Sequence, residues 1–348
     1  MKKEEIVDLM LKLGDLFRAL GSEKEWSGFE IGLTQEEYCD LQSLLGKVHI
    51  YNPWFTHESV LYALTSLGEM LEKESLLPFA SNYTYATHPK RVAIIMAGNI
   101  PMVGFHDVLC VLLSGNTALC KMSSTDKHLL PAFTQVLEKW NPAIAEHLQC
   151  FIGPVKDMEA VIATGSDNSV SYFDQYFGKY PHIFRKNRTS VAVLNGKESK
   201  DELKLLGNDM LRYFGLGCRN VSKLFVPLDF NLDRVFEAIV DFGGIVNHHK
   251  FANNYDYNRT IYLMNSVPFL DNNFCLMRED DSLFSPLSVF HIQRYTEIEE
   301  VTRFIQEHEA SIQTIVGHNF QSFGSAQLPS ISDFADGIDT MKWLSGLN

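Results

Sequence analysis

Most of the short patterns that would settle a function at once are missing from this chain. Its six cysteines, Cys39, Cys110, Cys120, Cys150, Cys218 and Cys275, are scattered with no C-x-x-C pair. That argues against a disulfide framework or a zinc site and fits a reducing cytoplasm. There is no lysine- or arginine-rich block, and the net charge is −13. Unspecific binding to nucleic acid or to an anionic membrane is therefore not expected. No apolar run reaches the ~18 residues that suggest a membrane-crossing helix. Met1-Lys2-Lys3-Glu4-Glu5 has no apolar core behind it, so no signal peptide is expected. A G-x-G-x-x-G turn, a Walker loop, a G-x-S-x-G elbow and an H-E-x-x-H pair are all absent, which removes the common nucleotide, esterase and metalloprotease sites. Internal repeats and low-complexity tracts are missing too.

What is present reads as an ordinary globular protein, 45% apolar and 21% charged over 348 residues. That length suffices for two domains. Residues 1–88 are expected to be helical. Ile6, Leu9, Leu13, Leu16 and Leu20 form one stripe at helical spacing. Thr34-Gln35-Glu36-Glu37 is a capping box opening a second helix that closes near Gly46, and a third runs from about His57 to Lys73.

The pattern changes at residue 90. Arg91 to Met96 is a continuous apolar run of strand length, followed by Ala97-Gly98-Asn99-Ile100-Pro101 and a helix over about 102–113. Strands at Thr117 to Met122, Gln149 to Ile152 and Ala160 to Thr164 follow, each closed by polar or glycine-bearing turns, with a helix over about 126–139. Strand, glycine and helix in alternation predict a doubly wound parallel sheet. Ligands bind such sheets at the strand carboxyl ends. Further apolar runs around Ile183 and over Val191 to Leu194 precede a helix over about 201–213. The strand Lys223 to Val226, an amphipathic stretch over 232–246, a helix over 298–308 and the strand Ile312 to Val316 complete the expected elements. Asn247 to Tyr255, containing His248 and His249, reads as a polar surface or substrate rim. No carboxylate or thiol stands at metal-ligand spacing from these histidines, so no metal is expected.

The segment that draws attention is Tyr213-Phe214-Gly215-Leu216-Gly217-Cys218-Arg219-Asn220-Val221. A cysteine stands between a helical and a strand pattern, with two glycines just before it. The glycines let the backbone turn sharply, and a thiolate at such a turn can act as a nucleophile. Taken alone, Cys218 reads first as a small buried apolar residue, as free cysteines usually are.

In order and spacing, these features over about 91–340 resemble the aldehyde dehydrogenase superfamily, in its branch of LuxC-type fatty acyl-CoA reductases. Ile95 to Pro101 resembles the first strand and its asparagine-bearing turn. Ser114-Gly115-Asn116-Thr117 followed by Cys120-Lys121 is similar to the G-N-T-x-x-x-K cofactor segment. Thr164-Gly165-Ser166 resembles the T-G-S turn, Gly217-Cys218 the nucleophile turn, and Phe284-x-Pro286 the end of the E-x-F-x-P segment. Gly98 to Pro101 and the tail Asp333 to Lys342 resemble the reductase branch in particular.

The resemblance implies an α/β fold of the aldehyde-dehydrogenase type, with two doubly wound parallel-sheet domains and an N-terminal helical layer. Its implied division is residues 1–190 for the helices and NAD(P)-binding domain, 191–316 for the cysteine domain, and 317–348 packing back on the cofactor domain. The implied activity is NADPH-dependent reduction of a long-chain fatty acyl-CoA to an aldehyde through an acyl-cysteine thioester. Cys218 is then the nucleophile and Asn99 an oxyanion donor, although Asn99 also reads as a helix N-cap. Lys121, Ser123, Ser124, Gly165, Ser166 and Phe284 are the implied cofactor contacts, with His248 and His249 near substrate and His106 a further histidine candidate. NAD-using relatives place a glutamate three residues after the lysine. Here Ser124 stands there, which favours NADPH over NADH.

The water-activating glutamate of hydrolytic members is expected at Val193, with Glu198 as a substitute, and Ser282 replaces the glutamate of E-x-F-x-P. A thioester reductase needs no water-activating base. An acyl-CoA substrate, an acyl-protein synthetase or thioesterase-like partner, a homo-oligomer and a cytoplasmic location complete the expectation. Two other readings remain at this point: a cysteine acyltransferase or acyl-carrier subunit without reduction, and a CoA-independent reductase of acyl phosphates or semialdehydes.

Overall fold

The apolar stripe of the first helix has a large surface to cover. In the computed structural model, which describes residues 1–165 and 167–347, α1 (Lys3–Gly21) buries Ile6, Leu9, Leu13, Leu16 and Leu20. Phe17 meets Phe133 edge-on at 4.7 Å between ring centroids. Such a fully buried phenylalanine typically stabilises a core by about 3–5 kcal/mol relative to alanine. The capping box opens α2 (Gln35–Lys47), where Thr34 accepts the Glu37 N–H. The expected third helix is α3 (His57–Met70), and after Leu71 and Glu72 a further helix, α4 (Lys73–Ser81), follows.

The chain forms two compact units, 1–186 with 329–348, and 187–328. In the first, β1 (Arg91–Ile95), α5 (Phe105–Leu113), β2 (Thr117–Lys121), α6 (Leu129–Trp140), β3 (Leu148–Phe151), β4 (Ala160–Thr164), α7 (Asp167–Phe177) and β5 (His182–Arg185) alternate as expected. The sheet order is β3-β2-β1-β4-β5 and every pairing is parallel. Strands β1, β2 and β4 are buried on both faces, which is why they read as continuous apolar runs. At the end of β5, the buried Arg185 Nη2 reaches Asp107 Oδ1 of α5 at 2.7 Å and Thr340 Oγ1 at 2.9 Å.

The second unit begins with β6 (Thr189–Val193), α8 (Lys200–Leu211), β7 (Val221–Pro227) and α9 (Asp233–Ala238). It continues with α10 (His249–Met264), β8 (Leu270–Asp271), β9 (Leu276–Glu279), β10 (Val289–Tyr295), α11 (Ile298–Glu307) and β11 (Ile312–Gly317). Its sheet order is β11-β6-β7-β10-β9-β8, parallel except for the short β8 at the edge. The last helix, α12 (Thr340–Ser345), belongs to the first unit.

The polar stretch at 247–255 is helical and largely at the surface. His248 Nδ1 accepts the Phe251 N–H and caps α10, which starts at the next residue. The helix buries a narrow seam, Phe251, Tyr255, Asn258 and Tyr262. Two of these carry polar atoms that find partners, Tyr255 Oη on Asp271 at 2.7 Å and Asn258 Nδ2 on the Leu287 carbonyl at 2.9 Å.

Candidate functional site

In the first unit the strand order reverses direction between β1 and β4, the place where open parallel sheets bind ligands. The turn after β1 is pinned to the turn after β2. Met96 N–H donates to the Lys121 carbonyl at 3.1 Å. The Gly98 carbonyl accepts from Thr125 Oγ1 at 3.0 Å and from Asn52 Nδ2 at 3.3 Å. Met102, at a φ of 57°, donates its N–H to Asp126 Oδ2 at 3.1 Å. Gly98 is needed here because an added Cβ would lie 2.5 Å from Ser123 Oγ. Asn99 stands exposed on this pinned turn. The N-cap of α5 is Gly104, so Asn99 does not cap that helix.

Lys121 is half-buried at the end of β2 and Ser124 is exposed beyond it. Ser123 is occupied otherwise: its hydroxyl lies 2.9 Å from Thr125 Oγ1 and accepts the Thr125 N–H. Asp126 is the one carboxylate in residues 121–126. It is buried, turned to Met102, and burial pushes its carboxyl up to about 6. Gly165 follows β4, donates to the Arg185 carbonyl at 3.2 Å and packs against Ser169 and Phe173 of α7. Ser166 lies outside the described residues. His106 is removed from the candidates: its Nε2 bonds the Ile331 carbonyl at 2.8 Å and its ring packs on Phe334, a structural role.

In the second unit, α8 ends at Leu211 and the chain enters three successive residues of positive φ: Tyr213 at 52°, Phe214 at 61° and Gly215 at 78°. Two non-glycine residues in this region cost about 1–2 kcal/mol each and persist only where the surroundings over-determine them. The restraint is Asn220, 3% exposed. Its amide nitrogen donates to the carbonyls of Asp209 at 3.0 Å and Arg212 at 2.9 Å, and its oxygen accepts the Gly217 N–H at 2.8 Å. From β6, Ser190 Oγ donates to the Cys218 carbonyl at 3.1 Å. Cys218 is thus held half-buried at the entry to β7. By contrast Cys110, Cys120 and Cys275 are buried, with thiols pushed well up chiefly by burial or, for Cys120, first by its bond to Cys150.

The Phe214 ring packs on His248 at 4.4 Å between centroids, and His248 stacks with the exposed His249 at 5.3 Å. A cavity of about 60 Å³ beside the turn is walled by Phe214, Phe251, Leu287 and Phe290, with Asn220 and Ser222 on its polar side. Phe284 is 41% exposed, so it is not an ordinary core residue.

The expected positions of the water-activating base need correction. Strands β6 and β7 are parallel, pairing Ser190 with Val221 and Val193 with Phe225. Val193 therefore stands at the far end of β6 from Cys218. Glu198 lies beyond it, buried, accepting the N–H groups of Asn195 at 2.5 Å and Gly196 at 3.1 Å, an anchor for its own loop. The residues that enter β6 at the Cys218 end are Asn187 and Arg188, neither a carboxylate. Asn220 and Ser190 were not legible as site residues, although an asparagine two places after a Gly-Cys turn is a turn-capping signal.

Residues 2–229 match the family model described as acyl-CoA reductase (LuxC). No curated protein sequence matches the chain. Among solved structures, aldehyde dehydrogenase 21 of Physcomitrella patens, in complex with succinate, is similar over 100% of this chain and 84% of its own, at 10% identity and a TM-score of 0.68. The indole-3-acetaldehyde dehydrogenase AldA of P. syringae, bound to NAD+, covers 87% of this chain and 70% of its own, at 12% identity and TM-score 0.61. An NADP-bound glyceraldehyde-3-phosphate dehydrogenase of Bacillus halodurans covers 88% and 72%, at 14% and 0.57.

Proposed function

The chain belongs to the acyl-CoA reductase (LuxC) family, and from that membership we propose that it reduces a long-chain fatty acyl-CoA to the aldehyde with NADPH, through an acyl-Cys218 thioester. It is an oxidoreductase acting on the aldehyde or oxo group. The observation that carries the finer reading is the half-buried Cys218 on a strained turn clamped by Asn220 and Ser190.

Cys218 as thiolate attacks the thioester carbon, and the carbonyl oxygen becomes an oxyanion. The Cys218 backbone N–H and the Asn99 amide are its proposed donors. One such donor is typically worth about 10²–10³ in rate. The bond from carbon to the CoA sulfur then breaks, and CoA leaves as a thiolate.

For the cofactor, the first unit supplies the Lys121 ammonium and the Ser124 hydroxyl at one strand end, beside a turn whose single carboxylate is buried and turned inward. A 2′-phosphate fits that donor set better than a bare ribose, whose hydroxyls want an accepting carboxylate. Ser123 shapes the turn, Gly165 would let the backbone approach a pyrophosphate, and the exposed Phe284 would pack near a nicotinamide. Bound there, NADPH supplies the hydride that takes the acyl-enzyme to a thiohemiacetal on Cys218. Cys218 then departs as thiolate and the aldehyde is released. Asn187 and Arg188 offer no base to activate water against the thioester, so it is kept for reduction.

The test is NADPH consumption, followed by absorbance, with tetradecanoyl-CoA and with tetradecanoyl phosphate, and aldehyde identified in the product. Turnover with the CoA ester supports the proposal. Turnover with the phosphate alone would point to the CoA-independent reductase, and acylation without NADPH consumption to an acyl carrier.

A further inference from the structure

Lys223 has no evident reason to be where it is. It is the third residue of β7, directly before the apolar Leu224, Phe225 and Val226, and its side chain is 0% exposed. Lysine is almost never fully buried unless paired. Burial pushes its ammonium down to about 8, with Asp281 and Asp280 pulling the other way. It lies against the rings of Phe225 at 5.4 Å and Phe304 at 5.0 Å, a setting in which methionine would pack as well.

What the ammonium does is hold backbone. It donates to the Asp280 carbonyl at 2.7 Å and to the Ser282 carbonyl at 3.4 Å. His291, paired with Lys223 in the register of β10 and β7, brings Nδ1 to within 3.0 Å of the same Ser282 carbonyl. A carbonyl only accepts, so Nδ1 carries the proton. Ser222 Oγ donates to the Leu283 carbonyl at 3.3 Å and lies 2.6 Å from Thr189 Oγ1. Three carbonyls, those of residues 280, 282 and 283, are thus received by side chains of two neighbouring strands. Arg278 and the Ser282 N–H hold the Asp280 carboxylate at 2.6 and 2.8 Å. Leu283 is then buried with Val191, Phe225 and Val301, and the next residue is the exposed Phe284.

We propose that Lys223, with His291 and Ser222, is a positioning residue that sets the Phe284 loop on β7, the strand that also carries Cys218 at its entry. This rests on the reading of Phe284 as the nicotinamide contact. Cys218 and the loop are then referred to one rigid strand, so that the distance over which hydride is transferred is fixed by backbone bonds. Ser282 stands where relatives have a glutamate side chain, and the clamped carbonyl is its own.

The experiment compares Lys223→Met, His291→Leu and His291→Asn with the parent and with Phe284→Ala. His291→Asn keeps an N–H donor near the Nδ1 position. Acylation of Cys218 is measured without NADPH, and single-turnover hydride transfer and the KM for NADPH on the loaded enzyme. The expected result is acylation within about twofold of the parent in Lys223→Met. Hydride transfer falls, and KM rises, by about tenfold or more, since a 1 Å misplacement can cost about 10²-fold. His291→Leu behaves alike and His291→Asn recovers most of the loss. Equal falls in acylation and hydride transfer would overturn the proposal, as would no change in either. If Phe284→Ala leaves hydride transfer and KM intact, the nicotinamide reading fails and the proposal with it. If Phe284→Ala is impaired and the clamp variants are not, only the clamp fails. Thermal melts check folding, and the His291 pair carries the test should Lys223→Met not fold.

Discussion

Replacing Asn220 by alanine removes one small side chain and three well-formed hydrogen bonds. The Gly217 N–H loses its 2.8 Å acceptor, and the carbonyls of Asp209 and Arg212 lose a shared donor. A buried polar group left without a partner costs about 1–3 kcal/mol. With water able to reach the half-buried end at Gly217, the net destabilisation is expected at about 2–4 kcal/mol, by the same reckoning. The larger consequence falls on the chemistry. Tyr213 and Phe214 hold positive φ only while the turn is clamped, and once released the turn relaxes and Cys218 moves. Acylation by tetradecanoyl-CoA is expected to slow about 10²-fold, read by rapid quench and mass spectrometry, with urea unfolding run in parallel. Asn220→Asp, which keeps the acceptor but sets a carboxylate beside carbonyl oxygens, is expected to do no better. An Asn220→Ala protein that unfolds early yet acylates at the parent rate would refute the reasoning.

Three further outcomes are expected. Asn99→Ala slows acylation about 10²–10³-fold and leaves NADPH affinity near normal, measured by rapid quench and by NADPH fluorescence titration. Ser124→Glu sets a carboxylate against a 2′-phosphate and raises the KM for NADPH about tenfold or more, with little change for NADH; equal effects on the two would contradict the cofactor assignment. Asp209 accepts the N–H groups of Gly324 and Ala326, and burial pushes its carboxyl up to about 6. The native state therefore keeps a proton that the unfolded chain, with a pKa of about 3.9, releases. The stabilisation is complete below about pH 4 and lost as pH rises through about 6, a change of up to about 3 kcal/mol. The stability of the parent relative to Asp209→Asn, from urea unfolding, should fall by that order across this range, and a gap that does not move with pH would contradict it.

The parallel sheet of the first unit was legible because its strands are buried on both faces and punctuated by glycine. Arg91 to Ile95 and Ala160 to Thr164 needed no tertiary knowledge. The helix α10 was not, because its buried seam is one residue wide, includes Asn258, and is flanked by polar residues such as Asn253, Asn254 and Asp256 and by exposed Tyr257, Leu263 and Met264. Of the candidate site, the proposed chemical residues could be marked in the sequence and the groups that hold them could not. Cys218, Asn99 and Lys121 stand at turns a reader can mark. Placing the base at Val193 failed because spacing along the chain says that a residue lies on a strand, not which end of the sheet it faces. Asn220, Ser190 and His291 act on backbone groups brought close only by folding. Lys223 is the exception, since a lysine inside an apolar strand pattern is itself a readable sign that something holds its charge.

In the proposed reaction, Cys218 accepts the acyl group and gives it up to hydride. The direct measurement is to mix the protein with tetradecanoyl-CoA in the absence of NADPH, quench, and map the modified peptide. Then NADPH is added to the same acylated sample and the fate of the adduct followed. The expected result is a tetradecanoyl thioester on Cys218, absent from Cys218→Ala, discharged as tetradecanal when NADPH is added. An unmodified Cys218 in a protein that still produces aldehyde, or an adduct discharged as the free acid, would contradict the account.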